Sequence, residues 1–158
     1  MTRPTFRLLF AATVLVGITL GAFAIPAPPR APSDAWATDR LTGCRVVDGD
    51  TLNCAGERIR LLAIDAPEKA GSCRPGRKCA PGDPVASAAS LEAAMRGTLT
   101  IERIGQDRYG RTLALVRSGR GDLSCWQLSR RQAIYRKDWD DANRVARLCP
   151  DALSAARR

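Results

Sequence analysis

The chain contains no histidine. That absence excludes His-ligated metal centres, imidazole acid–base catalysis, and the Ser-His-Asp and Cys-His arrangements of nucleophilic hydrolases. Acidic residues are in deficit, 16 against 25 basic ones, so the formal charge is +9. No internal repeat occurs, which sets solenoids and propellers aside. Any chemistry must therefore run on carboxylates, arginines and an oxygen-ligated metal.

The N-terminus has Arg3 and Arg7 followed by an uncharged run from Leu8 to Pro29, with Ala22-Phe23-Ala24 as a small-x-small site. Residues 1–24 thus read as an export signal. The competing reading is an uncleaved single-pass membrane anchor, since Leu8 to Ile25 is just long enough to span a bilayer. Both put the rest outside the cytoplasm: periplasmic, secreted or membrane-anchored. Residues 25–40, rich in proline and alanine, read as a stiff linker. One domain is expected over 41–150, with a weakly patterned tail at 151–158. Without residues 1–24 the chain keeps 23 basic and 16 acidic residues. Such a surface suits a polyanion, either nucleic acid or a membrane face.

Six cysteines, at 44, 54, 73, 79, 125 and 149, all follow the export segment. An even number in an exported domain points to disulfides, and their spacing does not resemble a metal–thiolate cluster. Cys44 and Cys54 lie symmetrically about Gly49, so a hairpin turning there opposes them. Cys73 and Cys79 close a small ring around Arg74-Pro75-Gly76-Arg77-Lys78. Cys125 and Cys149 would then join two C-terminal segments.

Val46-Val47 and Thr51-Leu52 flank the Asp48-Gly49-Asp50 turn as a hairpin. Glu57–Ile64 reads as a third strand, ended by Pro67, with Arg58 and Arg60 interrupting an apolar run. Asp83 is an N-cap and Pro84 a first-turn residue for a helix to about Met95. Strands follow near 98–104 and 111–116, then a helix capped by Asp122 and another over 140–148, stopped by Pro150. Five strands with a helix between the third and fourth give an α+β, mainly β chain. That order is the five-stranded OB-fold barrel with about three helices.

Asp50 follows the glycine turn and Asp65 ends a strand, so two carboxylates, a backbone carbonyl and waters suit Ca²⁺. Taken alone, Asp-Gly-Asp is more often an ordinary hairpin turn, and the later ligands of an EF-hand are missing. Glu68, just after Ala66-Pro67, is a candidate to deprotonate water. Arg60 lies among apolar strand residues and needs an anionic partner, structural or functional. Arg111, where a turn feeds a strand, would join it in gripping phosphate oxygens. One obstacle is geometric: on a flat strand Arg60 and Asp65 stand about 16 Å apart. They share a site only if the strand curls sharply, as in a small closed barrel.

Three segments, Val47–Thr51, Arg60–Glu68 and Asp107–Ala114, stand in order and at a spacing that resembles the staphylococcal nuclease (thermonuclease) family, over roughly residues 41–136. The resemblance implies a Ca²⁺-dependent nuclease on an OB-fold, acting on DNA and RNA with little sequence preference. By position it makes Asp50, Asp65 and the Ala66 carbonyl metal ligands, and Glu68 the residue acting on water. Arg60 and Arg111 become the phosphate clamp. Arg108 and Tyr109 fall near a terminal phosphate, and Tyr135 loosely matches a tyrosine beside the base. Ala66 replaces a frequent threonine, and the cysteine loop is unusual for the staphylococcal type. The alternative class is a non-catalytic OB-fold module that binds nucleic acid outside the cytoplasm. A third, an envelope-attached structural domain, accounts for the disulfides but not for the clustered acids and arginines.

Overall fold

The computed structural model describes residues 39–156. The expected export signal or anchor, and the linker up to residue 38, lie outside the described residues. Among the described residues no helix is long and apolar enough to cross a membrane.

Strand β1 (Asp39–Leu41) is separated from β2 (Cys44–Asp48) only by Thr42 and Gly43. The chain turns at Gly49-Asp50 into β3 (Thr51–Cys54), then at Ala55-Gly56 into β4 (Glu57–Leu61). A two-residue strand β5 (Ile64–Asp65) precedes the cysteine loop. Helix α1 (Pro84–Ala94) begins as its sequence implies, the Asp83 carboxylate accepting from the Val85 N–H. Strands β6 (Leu99–Gln106), β7 (Thr112–Ser118) and β8 (Gly121–Asp122) follow, then α2 (Leu123–Ser129) capped by Asp122, and β9 (Ile134–Tyr135). Two 3₁₀ turns, Lys137–Trp139 and Asp141–Asn143, lead into α3 (Arg144–Leu148) and α4 (Pro150–Ala156).

The main sheet runs β1-β6-β7-β4-β3-β2, with β8 on β7, and a two-stranded sheet joins β5 to β9. Both ends of that path belong to one stretch of chain, β1 and β2, so the sheet has to curl back on itself into a barrel-like form. Its inner face carries Leu52, Ile59, Leu61, Ile101 and Val116, which pack with Leu91, Leu123, Leu128 and Val145 from the helices; all are essentially buried.

The five expected strands correspond to β2, β3, β4, β6 and β7, with four short ones added. Four readings differ from expectation. Asp39 and Arg40, assigned to the linker, already pair with Ile101 and Thr100 of β6. The Glu57–Ile64 strand is broken at Ala63, whose φ is +59°. Pro150 does not end the helical region but starts α4, where a first-turn proline loses no hydrogen bond. Ala152 and Leu153 of this supposed tail are buried in the core. The helix expected over 140–148 is interrupted by left-handed backbone at Ala142 and Asn143.

All three disulfides join the pairs their spacing implied: Cys44–Cys54, Cys73–Cys79 and Cys125–Cys149. Cys44 and Cys54 are register partners across the hairpin. Three disulfides in so short a domain fit an oxidising compartment. Cys125–Cys149 closes the largest loop, 24 residues of separation, and ties α2 to the end of α3. Replacing both cysteines by serine is expected to lower unfolding free energy by about 3 kcal/mol, read by urea titration.

Asp122 gives a pH-dependent expectation. It is buried, accepts from the Cys125 N–H, and leaves Oδ2 without a hydrogen-bond donor. Burial pushes its carboxyl up to about 6. The native state therefore favours the protonated acid, a contribution present below pH 4 and lost as pH rises through 6. Asp122→Asn should gain stability relative to the parent between pH 4 and pH 7, by up to about 3 kcal/mol, measured by denaturation at both values.

Candidate functional site

The left-handed turn at Ala63 resolves the distance between Arg60 and Asp65. After Leu61 a two-residue turn, Leu62-Ala63, breaks the strand, and the Arg136 N–H donates to the Ala63 carbonyl at 2.8 Å, fixing the turn against the strand that follows α2. Arg60 Nη2 now donates to both the Ile64 carbonyl and Asp65 Oδ1, each at 3.2 Å. A local break in the strand, rather than curvature along it, brings the two side chains together.

Arg60 Nη1 is 2.5 Å from Asp50 Oδ1. One buried guanidinium thus spans two buried carboxylates. Asp50 is further held by the Thr51 hydroxyl at 3.0 Å and by the Ala66 N–H, which donates to Oδ2 at 2.7 Å. The hairpin and the β5 segment therefore meet at this one side chain. Burial pushes the Asp50 carboxyl up to about 7, the Arg60 guanidinium opposing that rise and Asp48 adding to it.

Gly49 sets the position of Asp50 by close packing. A Cβ there would lie 1.9 Å from Ser87 Oγ and 2.7 Å from Ala66 Cβ. Gln127 Nε2 donates to the Gly49 carbonyl at 2.7 Å and to the Ser87 carbonyl at 2.9 Å. The turn is thus seated against both α1 and α2.

Asp65, completely buried, collects two more arginines. Arg77 Nη2 lies 2.7 Å from Oδ1, and Arg136 Nε 3.6 Å from Oδ2. Arg77 also reaches Glu68, Nη1 to Oε1 at 3.2 Å. Arg60, Arg77 and Arg136 surround the partly exposed Trp139 ring, with guanidinium carbons 5.7, 5.9 and 4.8 Å from its centroid.

The third motif is built around Asp107, whose Oδ1 accepts from the Tyr109 and Arg111 N–H groups while Oδ2 pairs with the Arg111 guanidinium at 2.7 Å. Arg108 and Tyr109 are exposed, and the guanidinium carbons of Arg74, Arg108 and Arg111 lie 5.0, 5.0 and 5.6 Å from the Tyr109 ring centroid. Arg111 rests on Asp107 and Arg60 on Asp50 and Asp65, so the two guanidiniums have different carboxylate partners. Their strands are nonetheless parallel neighbours, with Arg60 beside Leu113. Arg111 sits two residues earlier on the same face, about 8 Å away between Cα atoms by strand geometry. Tyr135 pairs with Ile64 in the small sheet and donates its hydroxyl to Asp140 at 2.8 Å. Asp140 also accepts from Val145 and Ala146 N–H groups, so the tyrosine ties β9 to α3.

A cation here would have two carboxylates to use, Asp50 and Asp65; among the described residues no group of three or more acidic or cysteine side chains suited to a metal occurs. The fit to a hard cation rests on Asp65 Oδ2, a buried oxygen with no hydrogen-bond donor, and on the oxygen chemistry of the pair. The arginines at the site that the sequence reading passed over are Arg77 and Arg136, together with Trp139. Arg77 lies inside the cysteine ring, whose constraint was visible; Arg136 and Trp139 follow Tyr135 closely, and only tertiary contact marks them.

Scanned against family models, the chain matches none. It is 32% identical over 134 residues to the succinoglycan biosynthesis protein ExoI of Rhizobium meliloti (strain 1021), covering 82% of this chain and 67% of that protein. It is also 32% identical over 120 residues to protein ParB of Escherichia coli, covering 73% of this chain and 56% of ParB. The chain thus spans little more than half of the second relative.

Because Gly49 has no room for a methyl group, Gly49→Ala should cost about 1–3 kcal/mol by overpacking against Ser87 and Ala66. Chemical denaturation followed by circular dichroism reads that loss.

Proposed function

This chain belongs to the family of the succinoglycan biosynthesis protein ExoI, and within that family we propose that it is an exported Ca²⁺-dependent nuclease of the staphylococcal type, hydrolysing DNA and RNA with little sequence specificity. The observation that carries the reading is the buried Asp50–Arg60–Asp65 cluster with Glu68 drawn to its edge. The strand order β2-β3-β4-β7-β6, with β4 and β7 parallel, supports the OB-fold part of the proposal. The basic composition supports a polyanionic substrate.

Asp50, Asp65 and the Ala66 carbonyl would hold Ca²⁺, which when bound supplies positive charge for the phosphate oxygens and for water. Glu68 takes a proton from the attacking water as its oxygen forms a bond to phosphorus and the ester P–O bond breaks. Arg60 and Arg111 leave their resting carboxylate partners for the non-bridging phosphate oxygens, where charge accumulates in the transition state. Arg108 and Tyr109, exposed on the adjoining turn, hold the neighbouring phosphate. Asp107 keeps Arg111 extended in readiness.

The test incubates the oxidised protein with single-stranded DNA and Ca²⁺, with and without chelator, beside Glu68→Gln and Arg60→Ala. Degradation should require the metal, and Glu68→Gln should lower turnover at least about a hundredfold. Arg60→Ala should reduce kcat more than it raises KM. Salt-sensitive binding without cleavage by well-folded protein would replace this reading with the non-catalytic OB-fold binding module.

A further inference from the structure

We infer that Arg77 is a positioning residue for Glu68, aimed by the Cys73–Cys79 ring; the inference rests on the nuclease reading above. Glu68 lies in a loop, with its side chain only partly covered, and among the described residues it pairs with Arg77. Left alone, a glutamate in that setting samples many rotamers. The Arg77 guanidinium removes this freedom by bridging Glu68 Oε1 at 3.2 Å to the fully buried Asp65 Oδ1 at 2.7 Å. A half-buried loop carboxylate is thereby referenced to a fully buried one, and a planar two-pronged donor is suited to that task.

The ring supplies the rigidity that such a bridge needs. Arg77 donates its N–H to the Arg74 carbonyl at 3.1 Å, and the disulfide closes the turn around both. Ala80, directly after the ring, is docked beside the residue preceding Glu68 through an isolated bridge to Pro67. The opposite side is anchored by Arg74, which donates to the Tyr109 hydroxyl at 2.7 Å. Arg77 thus enters the site from a loop fixed at its disulfide, at Pro67 and at Tyr109. An isolated ion pair on a free loop would contribute little; this pair is partly shielded, shares a buried acid and stands on a cross-linked support.

The test compares four oxidised full-length proteins: the parent, Arg77→Ala, Cys73→Ser/Cys79→Ser, and the three substitutions combined. Arg77→Ala should lower kcat about ten- to a hundredfold, the scale of a misplaced catalytic group, with KM changed less than about threefold. The serine pair should lower kcat in the same sense, and the combined protein should be no worse than Arg77→Ala alone, because the disulfide acts through Arg77. A second readout needs neither metal nor substrate: the Glu68 side-chain order parameter, from NMR relaxation of its methylene groups, should fall in Arg77→Ala. A kcat within about twofold of the parent in Arg77→Ala, losses that multiply in the combined protein, or an unchanged order parameter would each overturn the inference. An inactive parent would instead count against the nuclease reading itself, leaving the order-parameter comparison to decide whether Arg77 fixes Glu68.

Discussion

Two carboxylates buried beside one guanidinium constrain everything around them. An ionised acid withdrawn from water is destabilising unless a compensating charge lies within hydrogen-bonding distance, and Arg60 serves Asp50 and Asp65 together. For one side chain to reach both, the hairpin, the end of β4 and the β5 segment must converge. The hairpin comes close because Gly49 has no side chain to hold it off Ser87 and Ala66. The β5 segment comes back because Ala63 accepts a left-handed backbone, which disfavours an L residue by roughly 1–2 kcal/mol. Local strain and an unusual glycine contact thus share one cause.

The same arrangement accounts for the contrast between a basic chain and an acidic site. Asp65 is approached by Arg60, Arg77 and Arg136, so the acids are embedded in a rim of guanidiniums that also border Trp139. A phosphodiester entering that rim would meet donors geometrically matched to its oxygens. Arginines now resting on carboxylates would exchange those partners for the phosphate oxygens of the substrate. Their resting pairs hold them close together around the two acids.

Much of the fold could be read from the sequence because its signals are local. Asp83-Pro84 and Asp122 cap their helices in the expected manner, and the cysteine spacings led to the observed pairs. The misread elements are those decided by tertiary contact. The apolar run through Ile64 looks like one strand, and nothing in Leu61-Leu62-Ala63 announces the left-handed break that the Arg136–Ala63 hydrogen bond stabilises. Pro150 permits either a stop or a start, and the burial of Leu153 decides for a start. Of the site, Asp50, Arg60, Asp65 and Glu68 were legible as motif residues and the structure brings them together. Tyr135, expected near a base, also donates its hydroxyl to Asp140, a contact that only the tertiary fold reveals. Arg77 was legible only as part of a basic ring, since its partners lie 9 and 12 positions away.

The most direct measurement is a crystal structure of Glu68→Gln grown with Ca²⁺ and a short single-stranded oligodeoxynucleotide. The account expects a cation at the Asp50 and Asp65 carboxylates and a phosphate within hydrogen-bonding distance of Arg60 and Arg111. Arg60 still closed on both carboxylates, with no cation there and the oligonucleotide bound on another face, would contradict it.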